Sequence, residues 1–364
     1  MNITTTRNAL LMPLSAVAGV VEKKHTLPIL ANVLIEQSGD DIAMLATDLE
    51  IQIRTTGVAR PDQSITVAAR KLYDILKSLP VETEIKMTMD GDRIKVKAGK
   101  SRFTLQTLPA ADYPRMTLSD DDATLVRIPQ HEFKRMLGQV SYAMADKDVR
   151  YYLNGLLMTA HENSIRLVGT DGHRLAYTAV ATQSDPAEAI AILPRKTVME
   201  LARQIPDSED MLEIAITQNQ AVFRFGTVEF ASKLIDGKFP DFNRVIPREN
   251  PVMLTLDRAH LLGALSRVAI LTAEKMRGVR LLVDNGVLRM MSSNESSEDA
   301  QEEIEIDYAG EKMDCGFNVT YLIEVLNNAE HDFVELHLKD SQSSALITVP
   351  GDDAFKYVVM PMRL

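Results

Sequence analysis

The chain has 364 residues, 45% apolar and 25% charged, enough to bury a sizeable core in two or three domains. A single cysteine, Cys315, excludes an internal disulfide framework and fits a reducing cytoplasm. Tryptophan is absent and aromatics reach only 5%, which disfavours base-stacking platforms; a net charge of −11 repels phosphate unless the basic residues gather on one surface.

Arg7 precedes an apolar stretch, Ala9 to Val21, in which Ala16-Val17-Ala18 has the form of a signal-peptide cleavage site. Pro13 and Ser15 interrupt that stretch, and its pattern recurs deep inside the chain, which favours a helix of the folded body. Leu10, Leu14 and Val17 stand at i, i+4 and i+7, as do Phe133, Leu137, Val140 and Leu261, Leu265, Val268. Such spacing lines one face of an amphipathic helix, and Thr6, Pro129 and Asp257 supply a cap or an N-terminal proline ahead of each. No apolar run reaches the ~18 residues that a membrane span needs.

A second kind of helix follows in each third, marked by an acidic residue inside an apolar run. The three copies are Tyr73-Asp74-Ile75-Leu76, Met199-Glu200-Leu201-Ala202 and Ile323-Glu324-Val325-Leu326, spaced by 126 and 124 residues. Basic pairs Arg70-Lys71 and Arg195-Lys196 open the first two, with Asn318-Val319 near that place in the third. Between helices the period falls to two. Ile85, Met87 and Met89 alternate up to Asp90-Gly91, and Ile94 and Val96 alternate away from it, which predicts a hairpin; Asn285-Gly286 marks another. Each third closes on a strand carrying a phenylalanine: Phe103, Phe230 and Phe355, 127 and 125 residues apart.

Landmarks that recur together at a period of roughly 120 residues predict three tandem copies of one α+β domain, each with two helices and antiparallel sheets. The acidic Ser119–Asp122 and the segment from Pro247 to Pro251 are natural linkers, so the expected domains are 1–125, 126–250 and 251–364. The six helical segments carry a net +6, leaving −17 for strands and loops. Helices gathered on one surface would therefore make a weakly cationic face, suited to sequence-independent contact with phosphates.

Catalytic patterns are missing: there is no GxxxxGK[ST], GxSxG or HExxH, and no paired cysteines for zinc. The acidic run from Glu295 to Asp307 lacks the glycine and spacing of a calcium loop and reads as a solvated or interface loop. Thr170-Asp171-Gly172-His173-Arg174 is the most enzyme-like segment. Its counterpart Thr47-Asp48, 123 residues earlier, lacks the Gly, His and Arg, so this copy reads as a surface specialised for binding. The segment Tyr357 to Leu364 reads as a closing strand ended by Pro361, with Met362 to Leu364 an exposed, adaptable apolar surface.

Several longer motifs carry a resemblance: Thr26-Leu-Pro-Ile-Leu30, Leu108-Pro-Ala-Ala-Asp-Tyr-Pro114, Val149-Arg-Tyr-Tyr-Leu-Asn-Gly155 and Thr170-Asp-Gly-His-Arg-Leu-Ala176. Phe239-Pro-Asp241, Arg277-Gly-Val-Arg-Leu281 and Val358-Val-Met-Pro-Met-Arg-Leu364 complete the set. In these the chain resembles, from end to end, the bacterial sliding clamp family, the beta subunit of DNA polymerase III. The resemblance implies a non-enzymatic, cofactor-free, cytoplasmic processivity factor. It would form a head-to-tail homodimeric ring around duplex DNA, helices inside and sheets outside. Its implied partners are the polymerase catalytic subunit, a separate ATP-driven clamp loader, and other polymerases and repair proteins, all docking through short peptide motifs.

The resemblance also implies positions. A partner pocket between the second and third repeats would use Leu153, Thr170, Gly172, His173, Arg174 and Leu175, with Pro240, Arg244 and Val245. Asn318, Tyr321, Ser344 and the terminal Val358, Val359, Met360, Pro361, Met362, Arg363 and Leu364 would complete it. Met360 and Met362 suit a site accepting several motifs, and Arg174 and Arg363 are expected to attract acidic ligand ends. For DNA, Lys24 and Lys147 stand at loop positions that carry contacts in the family, and Arg70, Tyr151 and Tyr152 carry over directly. At the subunit junction Glu298, Asp299, Glu302 and Glu303 should face Lys71, Arg93 and Arg102 of another copy, with Ile270 and Leu271 packing on Phe103 and Leu105. Phe242 departs from the family pattern, where tyrosine is frequent.

Overall fold

The computed structural model describes residues 2–22, 27–58, 60–118, 122–182, 188–273 and 277–363. Lys24, Leu364 and residues 119–121 of the expected first linker lie outside them. Each third follows one succession: strand, helix, four strands, helix, three strands. The first third holds β1 (Asn2–Thr6), α1 (Arg7–Val17), β2 (Asn32–Ser38), β3 (Asp41–Thr47), β4 (Ile51–Thr55), β5 (Gln63–Ala68), α2 (Ala69–Ser78), β6 (Glu84–Asp90), β7 (Arg93–Ala98) and β8 (Ser101–Leu108). The second holds β9 (Thr124–Pro129), α3 (Gln130–Val140), β10 (Gly155–His161), β11 (Ser164–Thr170), β12 (Arg174–Ala181), β13 (Ala189–Pro194), α4 (Arg195–Gln204), β14 (Met211–Ile216), β15 (Gln220–Phe225) and β16 (Val228–Lys233). The last holds β17 (Val252–Asp257), α5 (Arg258–Val268), β18 (Gly278–Asp284), β19 (Val287–Ser293), β20 (Asp299–Glu305), β21 (Met313–Asn318), α6 (Val319–Asn328), β22 (Phe333–Leu338), β23 (Ala345–Val349) and β24 (Asp352–Val359).

Local chemistry explains the helix starts. The Thr6 hydroxyl accepts the Ala9 N–H at 3.3 Å and the Asp257 carboxylate accepts that of His260 at 2.7 Å, satisfying donors that a first turn leaves open. Asn318, expected in the pocket, caps α6 by accepting the Thr320 N–H at 2.9 Å. All nine apolar residues of the three i, i+4, i+7 sets are buried, as the periodicity requires. A 3-10 turn follows the first helix of every repeat, at Ala18–Val20, Ser141–Ala143 and Ala269–Leu271. Asn285 and Gly286, with φ of 43° and 77°, form the two-residue loop between β18 and β19, in the backbone region a primed hairpin turn demands.

The chain divides into two compact units, Met1–His131 with Met199–Leu234 and Glu132–Val198 with Ile235–Leu364. Strand pairing across repeat boundaries explains why two units arise from three repeats. In the first unit, β4 of repeat one pairs with β16 of repeat two, placing Ile53 opposite Phe230 in one twelve-stranded antiparallel sheet. In the second, β12 of repeat two pairs with β24 of repeat three, placing Ala176 opposite Tyr357 in an eight-stranded sheet. Tyr357, and not the expected Phe355, therefore takes the place of Phe230, because a bulge between Ile347 and Val349 shifts the register of β24.

A separate four-stranded sheet of the second unit, ordered β20-β19-β18-β21, corrects another expectation. The acidic run from Glu295 is not merely a loop: Asp299–Glu305 is strand β20, with Ile304 buried and Asp299, Gln301, Glu303 and Glu305 exposed. Charge on a lone edge strand discourages indiscriminate pairing. Among the described residues β20 pairs only with β19. Strand β8 pairs with β7 from Ser101 to Gln106 and with β5 at Thr107 and Leu108, so Ser101 to Gln106 leave their other edge open.

Candidate functional site

Thr170 to Arg174 form the tight turn between β11 and β12. The Asp171 carboxylate accepts the N–H groups of His173 (2.9 Å) and Arg174 (3.1 Å), while the Thr170 hydroxyl accepts that of Gly172 (3.1 Å) and donates to the Arg174 carbonyl (2.5 Å). Gly172 has φ +88°, which favours glycine, and a Cβ there would sit 2.9 Å from the Arg150 guanidinium, which would have to shift. Arg150 is held by Asp148 at 2.9 and 3.0 Å and donates to the Asp171 carbonyl at 3.1 Å. The Arg150 hydrogen bonds hold the Asp148 carboxyl down at about 2.

This turn forms one wall of a cavity of about 210 Å³ within the second unit. Leu153, Leu175 and Val358 form an aliphatic floor, continuous with a buried cluster of Leu157, Val168 and Ile192. Pro240, Val245 and Met360 line the sides, and Arg150 and Thr170 supply polar groups. Nine expected residues thus meet here: Leu153, Thr170, Gly172, Arg174, Leu175, Pro240, Val245, Val358 and Met360. Phe239, Phe242 and Arg150 also line the cavity, although sequence reasoning gave them no pocket role. Tyr152, expected at DNA, lines it as well. Phe242 and Tyr177 stack with ring centres 5.8 Å apart, closing the apolar wall.

The remaining expected residues lie around this cavity. The His173 carbonyl accepts the Met360 N–H at 2.9 Å, and the Gly316 carbonyl accepts that of Met362 at 2.7 Å. The terminal segment is thus tied to the edge of β21 and is not a free apolar tail; Pro361, Met362 and Arg363 line a separate, open cleft beside Arg280 and Asp314. Arg244 and Ser344 border a third depression, where exposed Arg244 pairs with Asp241 at 3.0 Å. Val359 is buried within β24.

Arg174 behaves differently from expectation. Only 9% exposed, it pairs with Asp171 at 3.1 Å and with Glu324 of α6, donates to the Tyr142 carbonyl at 2.7 Å, and lies 4.4 Å from the centre of the Tyr321 ring. Burial works against its charge, but Tyr357 and Glu324 more than offset this, leaving its pKa raised. The guanidinium is thus neutralised internally and shapes the wall; it is not available as a lure for acidic ligands. Burial pushes the Tyr142 and Tyr357 hydroxyls well above the ordinary range, so both stay neutral, and that of Tyr357 donates to the Tyr321 carbonyl at 3.1 Å.

Comparison with known proteins decides what carries this site. Three descriptions of the DNA polymerase III beta subunit match the chain in order: the N-terminal domain at residues 1–117, the central domain at 127–241 and the C-terminal domain at 243–363. The chain belongs to the DNA polymerase III beta subunit family. Beta sliding clamps of Pseudomonas putida and Escherichia coli are 45% and 40% identical over 370 aligned residues, covering all of both chains. The crystal structure of DNA polymerase III subunit beta from Pseudomonas aeruginosa superposes with a TM-score of 0.96, at 43% identity and full coverage of both chains. A second structure from that organism, bound to griselimycin, gives 0.95 at the same identity and coverage. A member of this family is a DNA sliding clamp, a non-catalytic processivity factor that tethers replication proteins.

Most of the other expected positions are exposed. Lys147 (φ +58°), Val149 (96% exposed) and Tyr151 project from the loop before β10. Arg70 is exposed at the start of α2 and donates to the Val21 carbonyl at 3.4 Å. Lys71 and Arg102 are exposed; Arg93 lies near Asp92 at 3.9 Å; Phe103 and Leu105 are half-buried on β8. In the last repeat Ile270 is 77% exposed and Leu271 half-buried. Glu302 already pairs with Arg267 at 2.6 Å, Glu303 with Arg289 at 2.7 Å, and Glu298 accepts from Asn294 at 2.6 Å, whereas Asp299 is exposed.

Proposed function

We propose that the cavity between the Thr170–Arg174 turn and Met360 is where this clamp takes short peptide motifs of the polymerase catalytic subunit, the clamp loader, and other polymerases and repair proteins. One observation carries the reading: an apolar, partly enclosed cavity with few polar groups, built from a turn that only one repeat has specialised. It has room for one or two aliphatic or aromatic side chains, each contributing about 2 kcal/mol on burial. Deleting Met360 to Leu364 removes one side of the cavity. Calorimetry with a Gln- and Leu-containing polymerase tail peptide should show loss of binding with the fold retained; equal affinity for truncated and intact protein would refute the site.

Two copies close head to tail through the open edges of β8 and β20. The support is internal: β16 pairs with β4 and β24 with β12, so the same step leaves β8 to pair with β20 of a second copy. Carrying the register over places Leu105 opposite Glu298 and Phe103 opposite Ala300 of the second copy. Lys71, Arg93 and Arg102 then approach the acidic strand, but exposed ion pairs contribute little and the apolar residues dominate. Replacing Ile270 and Leu271 by alanine should give monomers in sedimentation; a persistent dimer would overturn the assignment.

The closed ring of three-domain subunits, divided at 1–125, 126–250 and 251–364, turns its helices toward duplex DNA in the cytoplasm. Arg70, Lys147, Tyr151 and Lys24 meet phosphates weakly, because tight contacts would arrest sliding. With its loader and ATP, the protein should stay on nicked circular DNA and be released on linearisation. Retention on the linear form would contradict topological linkage.

A further inference from the structure

Asp74, Glu200 and Glu324 occupy one place in the repeat, the sixth residue of α2, α4 and α6. Gly19, Tyr142 and Ile270 are likewise equivalent, each the middle residue of the 3-10 turn after the first helix. The two series meet across each repeat boundary that the chain contains. Glu200 of repeat two lies directly on Gly19 of repeat one, where a Cβ would collide with its carboxylate and with the Arg203 guanidinium. Arg203 and Gln204 hold that carboxylate at 2.5 Å each. Glu324 of repeat three reaches the turn of repeat two indirectly, with Arg174 between them: it pairs with the guanidinium, which donates to the Tyr142 carbonyl at 2.7 Å and lies 5.7 Å from that ring's centre.

The third pair has no such boundary within one chain. Asp74 belongs to the first of the three repeats and Ile270 to the third, so no boundary between neighbouring repeats of these 364 residues brings them together. Each has what an interrupted contact leaves behind. Asp74 is exposed and no described residue pairs with it, while Ile270 is an isoleucine 77% exposed to solvent. We infer that Asp74 of one copy docks on the Ala269–Leu271 turn of a second copy, repeating between chains the contact that Glu200 and Glu324 make within one.

This rests on the proposed head-to-tail ring and gives its joint a distinct chemistry. Glu200 is clamped by Arg203 and Glu324 by Arg174, but Asp74 is one methylene shorter and its equivalent of Arg203 is Lys77, a single ammonium 5.8 Å over the Tyr73 ring. The turn it meets offers an aliphatic side chain. Lacking a guanidinium partner for its carboxylate, this joint is weaker than the two inside the chain.

The test is cross-linking in the full chain. Asp74→Cys combined with Ile270→Cys changes two exposed positions and leaves buried Cys315 in place. A short bis-maleimide should convert most of the protein to a covalent dimer, while wild type and each single variant give none. A protein that sediments as a dimer but does not cross-link would refute the contact and leave the dimer standing. Wild-type protein that sediments as a monomer would refute both, and a double variant that is monomeric beside a dimeric wild type is repaired by Asp74→Cys with Ala269→Cys, whose failure to cross-link as a dimer would refute the contact.

Discussion

The turns Thr47–Ile51 and Thr170–Arg174 share one fold of the backbone, yet only the second forms a wall of the cavity described above. In the first, Asp48 accepts the N–H groups of Glu50 (2.9 Å) and Ile51 (2.7 Å), and Thr47 accepts that of Leu49 (3.0 Å), bond for bond the pattern of the second. Leu49 takes a φ of +77° where Gly172 takes +88°, and Ile51, 1% exposed, stands where Arg174 stands. Behind the first turn, Tyr113 packs on Leu34 and Leu45 and donates its hydroxyl to the Asn32 carbonyl at 2.9 Å. Phe239, followed by proline as Tyr113 is, faces the second turn without a hydroxyl to anchor it and lines open space instead. A repeated scaffold thus holds a packed core behind one turn and an open cavity beside the other, its hydrogen-bonded frame unchanged.

The largest effect should come from giving the second turn the residue of the first at its most buried place. Arg174→Ile leaves Asp171 and Glu324 without their cation, and unfolding should come earlier by about 3 kcal/mol. Denaturant titration measures this, and peptide affinity should fall in parallel. Gly172→Leu puts the Leu49 side chain against Arg150; calorimetry should show peptide binding weakened tenfold or more, about 1.4 kcal/mol, with little change in melting. The reverse exchange, Leu49→Gly, relieves a left-handed leucine and should change stability by no more than ~1 kcal/mol, without creating a second peptide site.

The smallest effect concerns pH. Asp148 orients Arg150 beside the second turn only, and its carboxyl is held at about 2, below the ordinary 3.8. A carboxylate with a lowered pKa favours the fold above its ordinary value and loses that effect only as pH falls through the folded value. Carboxyl NMR should therefore find Asp148 still ionised at pH 3, when an unpaired aspartate is mostly protonated.

The repeats were legible because helix faces and turn residues answer to local rules: the i, i+4, i+7 triplets, the caps Thr6 and Asp257, and the Asn285-Gly286 turn need only neighbours in sequence. The bulge that puts Tyr357 in place of Phe355 leaves no mark of that kind. The cavity was less legible still. Its expected residues came from whole-chain resemblance, and Arg150, Phe239 and Phe242 escaped because they meet only after strands distant in sequence pair. Arg174 looked like a free cation for the same reason, since its partner Glu324 is 150 residues away.

The most direct test of the account is hydrogen exchange of the intact protein with and without a polymerase tail peptide. Protection should appear at Gly172 to Leu175 and Met360, and exchange at Leu49 to Gln52 should stay as it was. Equal protection at both turns, or none at the second, would contradict the assignment of docking to the one specialised copy.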